Sequence, residues 1–374
     1  MSKPVIAVLQ GDGVGPELLD QSLETLNVIC SALDLPCETA IFPCGAEYWQ
    51  KHREEWPSEA KDFCAKEADA ILFGSVGLPG VDLPTGDLAG VGVVFFLRQG
   101  LDLYASVRPV ELLTQVPSAP YTPNQVHLHL VREATEGLYS RIGGIFTRGQ
   151  TSELAVDIRM VTARGTKRVA RFAFELADGL RLAGDSRPVT CIDKSNVLEG
   201  CRFFRHTVRT VAEEFPEVKL KFTYVDNFAL EVLNHPQDYS VCVTSNAFGD
   251  ILADLLAFHE GGTGMAATGN FGNTKAMFEP LHGPQSAMKG KETMNPVAIH
   301  RCLVMLLAWL ARKQNPAGFN RASKELMTAI RDVLSAGNVR TPDLGGVSST
   351  SEMCHAIREA FLRSIARKDK EASE

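Results

Sequence analysis

Short apolar runs recur along this chain, separated by stretches with helical spacing, and this alternation restricts the fold more than any other property of the sequence. Val5-Ile6-Ala7-Val8-Leu9, Ala70-Ile71-Leu72-Phe73-Gly74, Val126 to Val131, Val189 to Ile192, Leu220 to Val225 and Val241 to Thr244 read as strands. A helix with apolar positions near Leu18, Leu19, Leu23 and Leu26 follows the first. Asn196 to Phe215 reads as a long helix ended by Pro216, and the tail carries two amphipathic helices, around Pro296 to Arg312 and Ser351 to Arg367. Strands alternating with helices predict an α/β chain with a largely parallel sheet. The charged end from Lys368 to Glu374 is expected to fray. There is no internal repeat or low-complexity tether, so any division into domains is made by the chain crossing between them.

With 374 residues, 45% of them hydrophobic, the chain can bury one large core or two ordinary ones. A formal charge of −7 gives no basic field for nucleic acid. No apolar run approaches the ~18 residues of a membrane span, and the Met-Ser-Lys-Pro start leads into a strand instead of a signal peptide. The expectation is therefore a cytoplasmic protein with no membrane partner. The nine cysteines are scattered without a Cys-x-x-Cys pair, which predicts buried thiols and neither zinc nor a disulfide framework. His127 and His129 alternate along a strand with no third ligand nearby and read as ordinary strand residues. The segment Gly11-Asp12-Gly13-Val14-Gly15-Pro16-Glu17 imitates a dinucleotide fingerprint. Pro16 replaces its last small residue, and Asp12 and Glu17 would face a pyrophosphate unfavourably. A tight turn with Pro16 at the first helical position is the better reading.

The chemistry is carried by three acidic motifs, each at the end of an apolar run: Asp193-Lys194-Ser195-Asn196-Val197-Leu198, Tyr224-Val225-Asp226-Asn227 and Gly249-Asp250-Ile251-Leu252-Ala253-Asp254. The C-terminal ends of strands are where an open α/β sheet places ligands. Asp250 and Asp254, four apart in a helical pattern, share one face and repel unless a cation sits between them. Oxygen ligands of this kind suit Mg²⁺ or Mn²⁺.

Together with further segments, these motifs resemble the metal-dependent β-decarboxylating dehydrogenases, the isopropylmalate, isocitrate, homoisocitrate and tartrate enzymes. The likeness runs from about residue 4 to about residue 365 and includes the glycine opening and Ile71 to Gly77. It also takes in Arg98 with Leu101 to Pro109, Arg132 to Tyr139, Phe278-Glu279-Pro280-Leu281-His282-Gly283 and Thr341 to Gly346. It implies an isopropylmalate dehydrogenase-like α/β fold. A large cofactor-binding domain would be built from both chain ends, 1–102 and 259–374. A smaller central α/β domain, 103–258, would carry the dimer interface and metal ligands. It also implies a homodimer with shared active sites, in which Gly143 to Thr162 forms an arm against the partner and Leu154 to Val161 supplies a strand.

The resemblance also implies roles. Arg98, Arg108 and Arg132 match a clamp for the two carboxylates of a malate unit, and guanidinium forks suit that task because they donate paired hydrogen bonds. Asp226, Asp250 and Asp254 match metal ligands, Asp226 being expected from the neighbouring subunit. Lys194, also expected across the interface, matches the base that takes the hydroxyl proton, with a depressed pKa beside cations. Tyr139 matches the acid that protonates the enol carbon. Asn196 is expected on the nicotinamide side, and Glu279, His282, Gly283 and Asn295 belong to the segment over which the cofactor lies. At the position where NAD-using relatives carry a ribose-binding aspartate, this chain has Ala287. Lys289 is the nearby cation that would read a 2′-phosphate. The absence of a tyrosine and arginine pair around Thr341 to Leu344 leans toward NAD, with NADP possible.

Substrate choice in the resembling enzymes is read just before the first arginine, here Val91-Gly92-Val93-Val94-Phe95-Phe96-Leu97-Arg98. A third carboxylate against Val94 and Phe95 would lack a donor, and that is costly. The expected reaction is oxidative decarboxylation of a 3-isopropylmalate-like 2-hydroxy acid. The alternatives are isocitrate, homoisocitrate, tartrate, malate or a specialised malate analogue. A catalytically silent regulatory subunit of the same fold is the rival class, and such a subunit would be expected to lose Lys194, Tyr139 or a metal carboxylate.

Overall fold

The computed structural model describes residues 3–115, 121–123 and 125–371. The chain forms β1 (Val5–Leu9), α1 (Gly15–Leu33), β2 (Glu38–Phe42), α2 (Ala46–His52), α3 (Ser58–Lys66), β3 (Ala70–Phe73), α4 (Val91–Phe95), β4 (Ala105–Glu111) and β5 (His127–Glu133). It continues through β6 (Gly143–Arg148), β7 (Thr151–Asp157), α5 (Ala163–Leu182), β8 (Val189–Asp193), α6 (Glu199–Ala212), β9 (Leu220–Tyr224), α7 (Val225–Asn234), β10 (Val241–Thr244) and α8 (Asn246–Glu260). The last elements are β11 (Ala267–Phe271), β12 (Ala276–Pro280), α9 (Val297–Leu310), α10 (Pro316–Ala336) and α11 (Thr350–Glu371).

Ten strands make one sheet in the order β2-β1-β3-β12-β11-β4-β5-β10-β8-β9. Both ends of the sheet are parallel, but β11 runs antiparallel to β12 and β4, and β4 runs antiparallel to β5. The sheet is thus largely parallel, as expected, with an antiparallel break at its centre. The first five strands in this order come from the two ends of the chain and the last five from its middle. The antiparallel strands are the seam where the two sets meet.

The inner parallel strands are mostly apolar because helices cover both faces: β3 is wholly buried, as are β8 and β10, whereas the edge strands β2 and β9 are not. Two helices differ from the sequence reading. α6 begins at Glu199, not Asn196, because residues 194–198 form a loop in which Lys194 accepts hydrogen bonds from Val197 and Leu198 through its carbonyl. The last helix runs to Glu371, so Lys368 to Glu371 are helical and not frayed, while residues 372–374 lie outside the described ones. Lys368 is tied to the buried carboxylate of Glu325. The segment expected to form an arm is a separate two-stranded ribbon, β6 with β7, in which the second strand lies at 151–157 and not 154–161.

The glycine opening is a clasp. The buried Asp12 carboxylate accepts from the backbone N–H groups of Ala46, Glu47 and Gly77 at 2.8, 2.7 and 2.8 Å. Gly13 has φ +59°, and a Cβ there would stand 2.1 Å from the Pro284 carbonyl oxygen, so only glycine fits. Helix α1 follows with proline in its first turn.

Candidate active site

A cavity of about 250 Å³ opens at the seam, lined by Arg98, Arg108 and Arg132 together with Asp250, Asp254 and Glu279. β4 and β5 place two of the arginines on one face by alternation, with Ser106 opposite Arg132 and Arg108 opposite Leu130. Arg98 comes from a π-helical turn, 96–100, that continues α4. Helix α8 approaches closely enough to present Asp250 because Gly249 has no side chain: a Cβ there would lie 2.7 Å from the side chain of Arg132.

Each guanidinium is oriented by a partner. Arg98 donates to Glu279 Oε1 at 2.8 Å. Arg108 donates to the Ala253 carbonyl at 2.6 Å and to Thr268 Oγ1 at 3.0 Å. Arg132 donates through Nε and Nη2 to Asn246 Oδ1, at 2.9 and 2.6 Å, and through Nη1 to Asp250 Oδ1. Burial pushes Arg108 down to about 10, and burial with the neighbouring Arg98 lowers Arg132. Burial also acts to lower Arg98, but Glu279 outweighs it and the pKa rises. The Nε atoms of Arg98 and Arg108 are buried and have no hydrogen-bond partner among the described residues. Three cations in a small cavity, with unsatisfied donors, form a receptor for an anion carrying more than one negative charge.

Tyr139 reaches into the same group. Its hydroxyl donates to Asp250 Oδ2 at 2.9 Å, and Arg132 lies over its ring. Burial and the Asp250 carboxylate raise its pKa, so it holds its proton at neutral pH.

Lys194 and Asp226 are not brought into this cavity. They pair with each other, Lys194 Nζ donating to Asp226 Oδ1 at 2.6 Å, and the Asp226 side chain is largely exposed. Asn196 is exposed nearby. Val94 packs against the core under β1 and β3, and neither it nor Phe95 lines the cavity. Phe95 is instead covered by the Arg141 guanidinium, 4.9 Å from its ring centre and itself held by Asp87 at 2.8 and 2.6 Å.

The segment after β12 holds the remaining residues. Glu279 faces the arginines instead of the outer loop. His282 is buried, its imidazole pushed down by burial, and its Nε2 has no partner among the described residues. Asn295 is buried and donates to Asp343 at 2.9 Å. Ala287 lies on a single helical turn, 286–288. Lys289 donates to both oxygens of Glu47, at 2.7 and 2.8 Å, so its charge is already matched. Gly283 has open space where a Cβ would stand. The sequence reading missed Asn246 and Thr268, which hold Arg132 and Arg108. For Asn246, an asparagine opening a helix one residue beyond a strand was the available signal.

Residues 5–357 match the family model for isocitrate/isopropylmalate dehydrogenase. The 3-isopropylmalate/3-methylmalate dehydrogenase of Methanocaldococcus jannaschii is 34% identical over 94% of this chain and 97% of its own length. The 3-isopropylmalate dehydrogenase of Clavibacter sepedonicus is 35% identical over 95% and 97%. Among solved structures, isocitrate dehydrogenase from Methylococcus capsulatus superposes with a TM-score of 0.85 at 29% identity, covering 96% of this chain and 99% of that one. A β-decarboxylating dehydrogenase from Thermococcus kodakarensis gives 0.79 at 29% identity, covering 98% of each chain.

Proposed function

The chain belongs to the isocitrate/isopropylmalate dehydrogenase family, and on that premise we propose that it oxidises and decarboxylates a malate whose 3-substituent is apolar. As a member it is a decarboxylating dehydrogenase acting on a CH–OH group, in a family that depends on a nicotinamide cofactor and a metal. The observation that carries the substrate reading is the convergence of three buried or half-buried guanidiniums on one cavity of about 250 Å³. Two carboxylates of a malate unit match those cations. The apolar residues that line the same cavity, Leu130, Ala253, Pro280 and Leu281, offer no side-chain donor to a third charge.

Arg98, Arg108 and Arg132 bind and orient the dianion, and their partners Glu279, Thr268 and Asn246 keep them from collapsing on one another. Asp250 and Asp254 would hold a divalent cation of the Mg²⁺ or Mn²⁺ class, completed by Asp226 of a second copy. When bound it supplies positive charge at the substrate oxygen. Two oxygen donors on one helix face fit half of such a set. Among the described residues of one chain no three potential ligands cluster, and Asp226 of a second copy is the third donor in this reading. Lys194, carried by that copy, takes the hydroxyl proton. Tyr139, protonated and aimed at the Asp250 carboxylate, delivers a proton to carbon after CO₂ has left. His282, with its unsatisfied buried Nε2, and Asn295 fit the adenine end of a nicotinamide cofactor, which accepts the hydride when bound. Lys289 is neutralised by Glu47 and Ala287 offers no carboxylate, so the reading of the cofactor is NAD with weak discrimination.

A second copy is also supported by the β6–β7 ribbon. It exposes Ile145, Phe146 and Leu154, with Ile158 following, an apolar set that a lone chain would leave in water. None of Tyr139, Lys194, Asp226, Asp250 and Asp254 is missing, so a silent regulatory subunit is not favoured. The deciding experiment is a screen of the purified protein against 3-alkylmalates, malate, isocitrate and homoisocitrate with NAD and NADP, with and without chelator. 3-Alkylmalates turning over only with metal is the expected result. Preference for a tricarboxylate would overturn the substrate reading.

A further inference from the structure

The strands that carry the substrate arginines have a second face. On β4 and β5, Arg108 and Arg132 point to the catalytic cavity, whereas Pro109 pairs with His129 and Glu111 with His127 on the opposite side. Behind the sheet these residues floor a separate cavity of about 500 Å³, walled by α5 on one side and by α9 and α10 on the other. One sheet thickness divides it from the site described above, and no residue is shared between their linings.

Its interior is aromatic and aliphatic. Phe271, at the end of β11, lies 5.4 Å from Phe172 and 5.8 Å from Trp309, ring centre to ring centre, and Leu176 and Met305 extend the apolar surface. The polar groups fall into two kinds. Arg301 and Arg331 are committed: Arg301 pairs with the buried Glu260 and donates to the carbonyls of Met265 and Pro109, and Arg331 donates to Glu111 at 2.6 Å. Glu175 on α5 and Arg312, two residues past α9, are not. Among the described residues neither makes a side-chain hydrogen bond or ion pair. Arg312 only stacks on Trp309, 5.7 Å from its ring centre. Both line this cavity, Glu175 from the α5 wall and Arg312 from the wall that α9 forms.

We propose that this back-face cavity is a binding site for an α-amino acid with an apolar or aromatic side chain. The ammonium would meet Glu175, the carboxylate would meet Arg312, and the side chain would lie among Phe172, Phe271 and Trp309. A simple carboxylate would be opposed by Glu175 and a simple amine by Arg312. Only a zwitterion satisfies both, and the volume admits the largest side chains.

The test is equilibrium titration of the purified full-length protein with L-phenylalanine, with phenethylamine and 3-phenylpropionate as single-charge controls. Saturable binding of one phenylalanine per chain is expected, tighter than either control and retained with saturating NAD. Glu175→Gln and Arg312→Gln, both at exposed positions, should each weaken phenylalanine binding roughly two- to five-fold, the scale of a solvent-exposed ion pair. Glu175→Gln should leave 3-phenylpropionate binding no weaker. Val304→Trp, which fills the cavity, should abolish binding, with circular dichroism to check its fold. If that variant does not fold, the Glu175→Gln/Arg312→Gln double variant decides. Absence of saturable binding up to the solubility limit would overturn the proposal. So would displacement by NAD, or unchanged affinity in the double variant.

Discussion

The Tyr139 hydroxyl donates to one oxygen of Asp250 at 2.9 Å, while the other oxygen of that carboxylate takes a hydrogen bond from Arg132. Acid, carboxylate and substrate-binding cation are thus joined in one chain of contacts. Tyr139→Phe removes the proton donor but leaves the Arg132–Asp250 contact. Turnover should fall roughly 10²-fold or more, on the scale of lost general acid catalysis, with the proposed dimer and metal and substrate binding retained. Loss of the fold or of the dimer, measured by circular dichroism and sedimentation, would make Tyr139 a packing residue.

Lys194 and Asp226 sit apart from Tyr139 and Asp250 in one chain, and the proposal that they act on the partner's cavity has a direct consequence. Lys194→Ala and Tyr139→Phe protomers, each inactive alone, should regain activity when unfolded together and reassembled at equal amounts. Random pairing gives half heterodimers, each with one intact and one doubly defective site, so about a quarter of native activity is expected. No recovery would place Lys194 in its own chain's site.

The Lys289–Glu47 pair governs the cofactor prediction. With the lysine neutralised, NAD should be used with a high Michaelis constant. Ala287→Asp should lower that constant and penalise NADP. Glu47→Gln, which frees Lys289, should improve NADP binding measured directly by calorimetry. An enzyme strongly selective for NADP as isolated would show that another cation reads the phosphate.

A pH effect follows from His300, which is wholly buried with Nε2 2.9 Å from the Thr25 hydroxyl and Nδ1 2.8 Å from the Pro296 carbonyl. Burial pushes this imidazole down to about 4. Near pH 7 it is neutral folded or unfolded. Between about pH 6.5 and 4 the unfolded chain binds a proton that the folded chain refuses, so stability falls as pH falls, by roughly 3 kcal/mol at the lower end. Urea midpoints at pH 7 and pH 5 should therefore diverge more for the native protein than for His300→Gln. Equal divergence would contradict this assignment.

The parallel strands were legible because burial on both faces makes them continuous apolar runs, and β1 and β10 fall where the runs predict. The antiparallel seam was not, because nothing in Ala105 to Glu111 or Ala267 to Phe271 specifies the direction of a neighbour; pairing across distant segments does. Helix α10 was passed over although Asn315 caps it, accepting from Gly318 N at 3.1 Å, with Pro316 at its start. At the site, residue types in motifs marked the arginines and carboxylates. Asn246 could not be read the same way, because its task of holding Arg132 exists only once α8 lies against β5. The pairing of Lys194 with Asp226, thirty-two residues apart, likewise depends on β8 and β9 lying side by side.

The measurement that tests the proposed reaction most directly is product stoichiometry with 3-isopropylmalate, NAD and Mn²⁺. Reduced nicotinamide and CO₂ should appear together at equal amounts, stop on addition of EDTA and resume when metal is restored. Turnover that continues in chelator, reduction of NAD without release of CO₂, or no turnover of any 3-alkylmalate would contradict it.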